Sequence, residues 1–325
     1  MNQVKLECRI CNNQLDNKIY RVREMYFGTR EEFEYIECHA CGCLQIKEYP
    51  EDISKHYPEN YGSFVGKKEF NQSVFISKIR NIKLRHALNY KKSILGIILN
   101  SLIKPGFEQK LAPAKINENS SILDIGSGEG MLLLNLRGKG FKNITGSDIF
   151  IKNDIVYDQH LRILKKSLFD FNEKFDLVML NHSLEHMPDQ DKVFQKLRTL
   201  VKPGGMVIIR IPIKTDFIWE LYGTDWVQID APRHYYLHTL KSIQIIAQRN
   251  NFKPGKPLFE SGIFQFYGSE QNRKNMPLRS ELSYYENPSK SMFTEKEIKQ
   301  FKDKASELNK NEQGDCVCLY LTPVN

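Results

Sequence analysis

The sequence lacks any run of 18 or more consecutive apolar residues, so we expect no membrane-spanning helix. Its first residues, Met-Asn-Gln-Val-Lys-Leu-Glu-Cys, lack a secretory pattern as well. Both absences favour a cytoplasmic location. The chain has 325 residues, of which 41% are hydrophobic, and this length and composition predict more than one domain with a sizeable core.

Acidic residues are scarce between residues 66 and 104, where nine lysines and arginines accompany one acid, Glu69. This segment accounts for the net charge of +8, so the rest of the chain is close to neutral. That distribution argues against a surface that coats nucleic acid in general. Apolar residues recur in the segment at helical spacing, which predicts basic helices. Three interpretations of their basic face stay open: a solvated surface, a contact with a phosphate-bearing substrate or a membrane surface, and a contact with RNA.

Cysteine is also scarce, with seven in the chain, but four of the seven form two C-x-x-C pairs. Cys8 pairs with Cys11, and Cys38 pairs with Cys41. Each such turn presents two thiolates, and two turns supply the four ligands of a tetrahedral structural zinc site. The residues between the pairs predict a small hairpin. We therefore predict a zinc-binding module over residues 1–50, a region too small to have a core of its own.

A glycine-rich stretch directly follows a short apolar strand predicted at residues 122–125. Gly126, Gly128 and Gly130 at the end of this strand let the backbone approach a ligand closely. Asp148 comes about 20 residues later, at the end of the next predicted strand, where a carboxylate can hold two ribose hydroxyls. The glycine spacing differs from the G-x-G-x-x-G of nicotinamide-binding proteins. A sharp strand-to-helix turn without a ligand is the alternative.

Strands and helices alternate between residues 112 and 255, a pattern that predicts a doubly wound parallel α/β sheet. A buried strand is expected at residues 175–180. A helix over residues 190–201 should end at the Lys-Pro-Gly-Gly of 202–205, before a β-branched strand at 206–211.

The C-terminal part of the chain is expected to complete this sheet. Residues 258–267 and 316–321 are predicted as strands that form an antiparallel pair. Between them, Thr294-Glu-Lys-Glu297 has the pattern of a capping box and predicts the start of a helix.

The residues from Asp124 to Gly130 form the motif D-x-G-x-G-x-G, which resembles motif I of the class I S-adenosylmethionine (SAM) methyltransferases. The order of strands and helices over residues 115–255 resembles that family too. The resemblance implies a Rossmann-like, seven-stranded methyltransferase sheet with SAM as cofactor. It also implies that the SAM site includes Asp124, Gly126, Ser127, Gly128, Gly130, Asp148, Leu168 and Asn181. The predicted organisation is then the zinc module over 1–50, a linker and basic helical lid over 51–111, and the methyltransferase domain over 112–325.

Two groups of histidines fall where this family would bind its acceptor. His182-Ser-Leu-Glu-His186 matches the H-x-x-E-H of inverted zinc proteases, but it directly follows a strand, which favours a ligand-binding edge instead. Residues 222–239, which contain His234, are unusually rich in aromatic and charged side chains for a connection. In a methyltransferase this segment would roof the substrate pocket.

A hydroxyl acceptor must lose its proton, and a histidine is the most natural general base for that step. The candidates are His234, His186 and His182, and we favour His234 because its loop should overhang the acceptor. Asp230 would orient this histidine, and Arg233 would hold a phosphate or carboxylate. The alternative is that these side chains only hold their loops in place.

The segment around His234 resembles one found in methyltransferases of bacterial cell-surface polysaccharide clusters. This resemblance implies O-methylation of a sugar or sugar phosphate, on a small molecule or on a nucleotide- or lipid-linked carrier. The zinc module also resembles that of sugar C-methyltransferases, although they carry His-Glu-His-Leu where this chain has Pro-Arg-His-Tyr. Two other hypotheses are an RNA base methyltransferase, which the missing Asn/Asp-Pro-Pro-Tyr motif argues against, and a zinc-ribbon adaptor with a degenerate SAM fold.

Overall fold

The computed structural model describes residues 6–57 and 107–324, which contain two β-sheets. The basic segment of residues 66–104, with its predicted helical lid, lies outside the described residues. Within the described ranges, no helix is both long enough and apolar enough to cross a bilayer.

The larger sheet has nine strands and is mixed, as expected for the methyltransferase class, although seven strands were predicted. Its parallel centre contains β4 (Ser121–Ile125), β5 (Asn143–Ser147), β7 (Leu161–Leu164), β8 (Phe175–Asn181) and β9 (Val201–Pro212). The antiparallel edges contain β6 (Ile155–Asp158), β11 (Phe252–Pro254), β12 (Leu258–Phe259) and β13 (Cys316–Pro323). The strand order is β11-β13-β9-β8-β4-β5-β7-β6, with β12 also paired to β13.

Both faces of this sheet are buried, which explains its continuous apolar strands. In β8, Leu177 and Met179 enter one apolar cluster, whereas Val178 and Leu180 enter the other. Side chains alternate across a strand, so neighbouring residues reach opposite faces. Helix α1 (Met131–Gly138) contributes to the cluster of Leu177, and α2 (Gln190–Leu200) contributes to the cluster of Val178. The doubly wound sheet predicted from the sequence is therefore confirmed.

The remaining helices are α3 (Asp216–Tyr222), α4 (Leu240–Arg249), α5 (Phe264–Arg273) and α6 (Glu295–Lys310). The capping box before α6 is confirmed, because the hydroxyl of Thr294 accepts from the backbone N–H of Glu297 and the Glu297 carboxylate accepts from that of Thr294. Short 3₁₀ helices connect these elements, and they occupy Ile53–His56, Phe107–Ala114, Leu168–Asp170, Leu184–His186, Gly223–Asp225, Val227–Ile229 and Pro288–Lys290.

One predicted strand is wrong in most of its length, and one predicted helix, which is confirmed, ends slightly earlier than expected. The strand expected over residues 258–267 contains only Leu258–Phe259, and α5 begins at Phe264. Phe266 of this helix stacks on Phe301 at 5.3 Å between ring centroids, so packing against α6 determines its structure. The Lys-Pro-Gly-Gly sequence does not end α2 either. That helix already ends at Leu200, and residues 202–205 lie within β9.

The second sheet has four strands and joins the N-terminal region to the methyltransferase domain. It contains β1 (Lys18–Arg23), β2 (Glu32–Glu37) and β3 (Leu44–Ile46), so the hairpin predicted between the cysteine pairs is confirmed. Its fourth strand is β10 (Tyr236–Leu237), which pairs antiparallel with β3. The loop that carries His234 therefore leads directly into the sheet of the N-terminal module, which we define as residues 6–57.

Candidate functional site

The glycine loop after β4 has a backbone that only glycine adopts readily. Gly126, Gly128 and Gly130 have φ angles of 74°, 54° and 83°. A Cβ atom at Gly126 would lie 2.5 Å from the Cβ of Ser183, and one at Gly130 would lie 2.5 Å from Cδ1 of Ile163. The loop therefore needs glycine at these positions, both for its backbone conformation and for its packing against Ser183 and Ile163.

Asp148 lies beside this loop and is nearly buried. One carboxylate oxygen accepts a hydrogen bond from the backbone N–H of Gly128 at 2.9 Å, and the other accepts from that of Phe150 at 2.8 Å. Burial raises the pKa of Asp148 above its ordinary value. The structure therefore brings together the glycine loop and the acid that were singled out in the sequence.

Asp124 is fully buried beneath the loop and belongs to a polar chain. Its carboxylate accepts a hydrogen bond of 2.8 Å from the side-chain amide of Asn181. Arg210 donates to the same amide at 3.3 Å and forms an ion pair with Glu260 at 2.5 Å. Burial raises the pKa of Asp124 to about 7. Sequence reasoning missed Arg210 and Glu260, because each lies in a strand or loop without any motif.

Leu168, which the resemblance assigned to the SAM site, lies in the 3₁₀ helix Leu168–Asp170, with Ser167 as its cap. The side chain of Leu168 is only 3% exposed and belongs to the apolar core. Phe169 is the exposed apolar side chain of this stretch, at 51%. If adenine binds here, we therefore expect the ring of Phe169 rather than the side chain of Leu168 to contact it.

The three candidate histidines and Glu185 gather at the carboxyl end of β8. His182, Glu185 and His186 follow this strand, and the His186 ring lies 4.6 Å from that of His234 between centroids. Glu185 is fully buried, and neither of its carboxylate oxygens has a hydrogen-bond partner. His182 Nδ1 approaches the nearer oxygen at 3.6 Å. Because Leu184–His186 is a 3₁₀ helix, the α-helix that a protease signature needs is absent.

The histidines differ in exposure. The side chain of His182 is 45% exposed, whereas that of His234 is 9% exposed. Nδ1 of His234 lies 2.7 Å from the carbonyl oxygen of Gln228, and Nδ1 of His186 lies 2.9 Å from that of Arg233. A carbonyl can only accept, so Nδ1 of His234 carries the proton and its Nε2 is free of it in the neutral ring. The carbonyl of Arg233 favours the same tautomer for His186, whose Nδ1 also lies 2.9 Å from the hydroxyl of Tyr57. The exposed histidine is thus His182, not the favoured His234.

The expected substrate-binding role of Arg233 needs correction, because its side chain is completely buried. Its guanidinium donates to Glu24 at 3.0 Å and to Asp230 at 2.6 Å, and it lies over the Tyr26 ring at 4.8 Å. Its charge is already balanced by two carboxylates, and its burial keeps the guanidinium away from any substrate phosphate.

The carboxylate of Asp230 is already hydrogen-bonded to Arg233. Its carboxylate lies 3.8 Å from His234 Nε2, which is beyond hydrogen-bond distance. In this structure Asp230 holds Arg233 rather than orienting His234.

The four cysteines of the C-x-x-C pairs converge in the N-terminal module. The Sγ atoms of Cys8 and Cys41 are 3.7 Å apart, those of Cys11 and Cys38 are 3.4 Å apart, and all four lie within 4.8 Å of one another. A zinc ion bonded to four thiolates at about 2.3 Å separates them by about 3.8 Å. The arrangement therefore fits a tetrahedral zinc ion.

The doubly wound sheet and the glycine loop with its neighbouring acid have the arrangement of the class I methyltransferase domains that use SAM. In agreement, residues 102–254 match the family model described as a methyltransferase domain.

Comparisons with known proteins give more distant relatives. A ubiquinone biosynthesis O-methyltransferase of Paramagnetospirillum magneticum is 32% identical over 121 residues, which cover 34% of this chain and 48% of that protein. The protein of that name from Xanthomonas oryzae pv. oryzae is 22% identical over 178 residues, which cover 50% and 73%. The match thus spans about half the length of the first of these curated relatives. A solved SAM-dependent methyltransferase from Mesorhizobium loti has a TM-score of 0.42 and 15% identity, over 65% of this chain and 97% of that one.

Proposed function

We propose that the protein transfers the methyl group of SAM to a hydroxyl oxygen of a small molecule, and that a carbohydrate or sugar phosphate is the acceptor. The observation that carries the proposal is the exposed His182 beside buried Glu185, at the sheet edge that also carries the glycine loop. The two curated relatives described above are named as O-methyltransferases, which supports oxygen as the atom methylated.

The glycine loop and its two acids would hold the cofactor. A Cβ atom at Gly126 or Gly130 would clash with Ser183 or Ile163, so the turn needs glycine, and its backbone would hold the methionine part of SAM. Asp148 is fixed by Gly128 with its carboxylate beside the loop, as hydrogen bonding to ribose requires. Bound SAM supplies an electrophilic methyl group, whose bond to sulfur breaks as the acceptor oxygen forms the new C–O bond.

In this proposal His182 removes the proton from the acceptor hydroxyl. It is the most exposed histidine of the cluster, and the buried carboxylate of Glu185 faces its Nδ1 at 3.6 Å. The distance is too long for a hydrogen bond, but the negative charge of Glu185 would attract the ring once it has taken the proton from the acceptor. A sugar hydroxyl is less acidic than a phenol, so an acceptor of this kind needs such a base. The His182–Glu185 pair therefore favours a carbohydrate over the phenol-like acceptors.

An aromatic pair beside the cluster supplies a surface for the acceptor. The rings of Tyr57 and Phe150 stack with centroids 4.8 Å apart, and the Tyr57 hydroxyl lies 2.9 Å from His186 Nδ1. Phe150 is 42% exposed and follows Asp148 by two residues. An exposed ring next to the cofactor acid is a suitable platform for a sugar face.

The four cysteines of the N-terminal module would bind zinc in a structural role. Four thiolates close the coordination sphere of a tetrahedral ion and leave no position for a substrate. The work of this ion would be to fold the module and thereby to support β10 and the His234 loop.

The proposed function is tested by measuring methyl transfer from labelled SAM to sugar nucleotides, sugar phosphates and catechols. We expect transfer to a carbohydrate hydroxyl, and His182→Gln should lower kcat by about 10²–10⁴-fold with unchanged SAM affinity. His160→Gln, a half-buried histidine between β6 and β7, is the matched control and should retain activity. Transfer to catechols alone, or full activity of His182→Gln, would contradict the proposal.

A further inference from the structure

We propose that Glu185, His186 and His234 form a binding site for a divalent transition-metal cation at the candidate acceptor pocket. One ligand atom of each of these residues lies within 4.8 Å of those of the other two. Two imidazoles and a carboxylate are a donor set suited to first-row divalent metals. This site is separate from the four thiolates of the N-terminal module.

The buried carboxylate of Glu185 is the first observation in favour of the site. Its side chain is fully buried, and its two oxygens lack hydrogen-bond partners in a protein region where such groups are usually satisfied. His182 Nδ1, at 3.6 Å from one oxygen, is too distant for a hydrogen bond. A cation between Glu185 and the two histidine rings would give this carboxylate the partner it needs.

The orientation of the two rings is the second observation. His186 and His234 each place Nδ1 on a backbone carbonyl oxygen, at 2.9 and 2.7 Å. Metal-binding histidines are typically held in this way, because the hydrogen bond from Nδ1 fixes the tautomer and leaves Nε2 free to bind the ion. Asp230, which lies 3.8 Å from His234 Nε2, is engaged with Arg233 and leaves this nitrogen free.

The ligand spacing requires the site to close around the ion. Three donor atoms bonded to one tetrahedral ion at about 2.1 Å lie about 3.4 Å from one another. The donor atoms of Glu185, His186 and His234 lie within 4.8 Å of one another, so each pair would approach by at most about 1.4 Å. Three protein ligands also leave coordination positions open, in contrast to the closed cysteine site.

The proposed ion would act on the acceptor. Its open positions would bind an acceptor oxygen, lower the pKa of that hydroxyl and hold it at the cofactor. This role rests on the proposed methyl transfer, with His182 still taking the proton. Binding of the ion itself does not depend on the reaction and is measured separately.

Cobalt(II) is the probe that distinguishes the two metal sites. The experiment titrates Co²⁺ into zinc-loaded full-length protein, by calorimetry and by visible absorption. We expect about one additional Co²⁺ per chain, with ligand-field bands but without the thiolate charge-transfer absorption that exchange into the cysteine site would add. Glu185→Gln and His234→Gln should each weaken Co²⁺ binding by at least about 100-fold. Loss of a residue that only hydrogen-bonds to a metal ligand already costs about 10–100-fold, and these two residues are the ligands themselves.

The matched control is Asp189→Asn, which removes an exposed carboxylate four residues from Glu185 that pairs with Lys192 at 2.9 Å. It should bind Co²⁺ like the wild type. If both site variants fail to fold, as judged by circular dichroism, the wild-type spectrum and stoichiometry decide alone. The proposal is overturned if the wild type takes up no Co²⁺ beyond the cysteine site, or if a folded site variant binds it unchanged. SAM binding without Co²⁺ uptake would reject the metal site and leave the proposed function standing. Co²⁺ uptake without SAM binding would reject the proposed function and leave the metal site standing.

Discussion

The N-terminal module and the methyltransferase sheet are stabilised by different means. The sheet buries apolar side chains on both faces, with α1 over one face and α2 over the other. The module has three short strands of its own, and its apolar residues join the cluster on the α2 face of the large sheet. Four cysteines and a buried ion pair replace a separate core. The comparison teaches that the module depends on specific polar and cysteine side chains, whereas the sheet depends on apolar area.

The two regions also meet at the candidate site. The hydroxyl of Tyr35 in β2 donates to the backbone carbonyl of His234 at 2.9 Å, and the N–H of Ile46 donates to that of Tyr235 at 2.8 Å. Glu24 of the module reaches Arg233 in the same loop. The position of His234 is therefore fixed by the module together with the segment after β8, where the N–H of Tyr235 donates to the carbonyl of Glu185 at 2.7 Å.

The largest expected effect comes from breaking the cysteine cluster. Cys38→Ser should abolish zinc binding and unfold the module, since structural zinc binding contributes an apparent 10–16 kcal/mol or so in small zinc proteins. Zinc content and thermal melting measure this outcome. Cys43→Ala, a buried cysteine outside the cluster, is the control and should retain zinc. A zinc-free wild type with a normal melting temperature would show that the module does not need the metal.

The next effect comes from breaking the ion pair between the regions. Arg233→Ala would leave Glu24 and Asp230 buried without their partner, so we expect a loss of about 3–5 kcal/mol in the free energy of unfolding. Urea denaturation measures it. Arg21→Ala, which removes an exposed pair with Glu34 at 3.8 Å, should cost no more than about 1 kcal/mol. Equal effects of the two substitutions would contradict the importance of the buried pair.

A pH-dependent effect is expected on the side of the large sheet. Burial raises the folded-state pKa of Asp124 to about 7, whereas the unfolded chain titrates near 4. Between these values the folded state keeps a proton that the unfolded state loses, so stability falls as the pH rises. At about 1.36 kcal/mol per pKa unit, this corresponds to up to about 4 kcal/mol.

The test compares Asp124→Asn with the wild type in urea at pH 4.5, 6 and 7.5 without SAM. The variant lacks the titration, so its stability relative to the wild type should increase with pH. Asp303→Asn, an exposed position on α6, should follow the wild type. A difference that stays constant across the pH range would mean that Asp124 titrates normally.

The smallest effect is expected at Thr239, which lies between the two regions. Its hydroxyl caps α4 by accepting from Ser242 N–H at 3.1 Å and donates to the carbonyl of Cys41 at 2.6 Å. Thr239→Ala should cost about 1 kcal/mol of unfolding free energy, the usual effect of losing such a cap. Thr239→Ser keeps the hydroxyl and should restore most of it. If both variants unfold like the wild type, the cap and the contact with Cys41 contribute nothing.

The parts of the molecule that depend on local spacing could be predicted from the sequence. The glycines, Asp148 and the two C-x-x-C pairs could be predicted because each lies in a turn whose geometry is determined by neighbouring residues. The order of the strands then brings these turns close to one another. Contacts between distant segments could not be predicted. Arg233 looked like a substrate ligand because its partner Glu24 lies 209 residues away. The start of α5 was missed for a similar reason, since residues 258–267 alternate like a strand and only packing against α6 favours a helix.

The most direct test of the central claim is isothermal titration of SAM and S-adenosylhomocysteine into the wild type and Asp148→Ala. The account predicts binding to the wild type with a dissociation constant in the micromolar range, and clearly weaker binding to the variant, because Asp148 lies against the glycine loop at Gly128. A wild type that binds neither compound would contradict the account. The cysteine module would then be the region in which to look for a function.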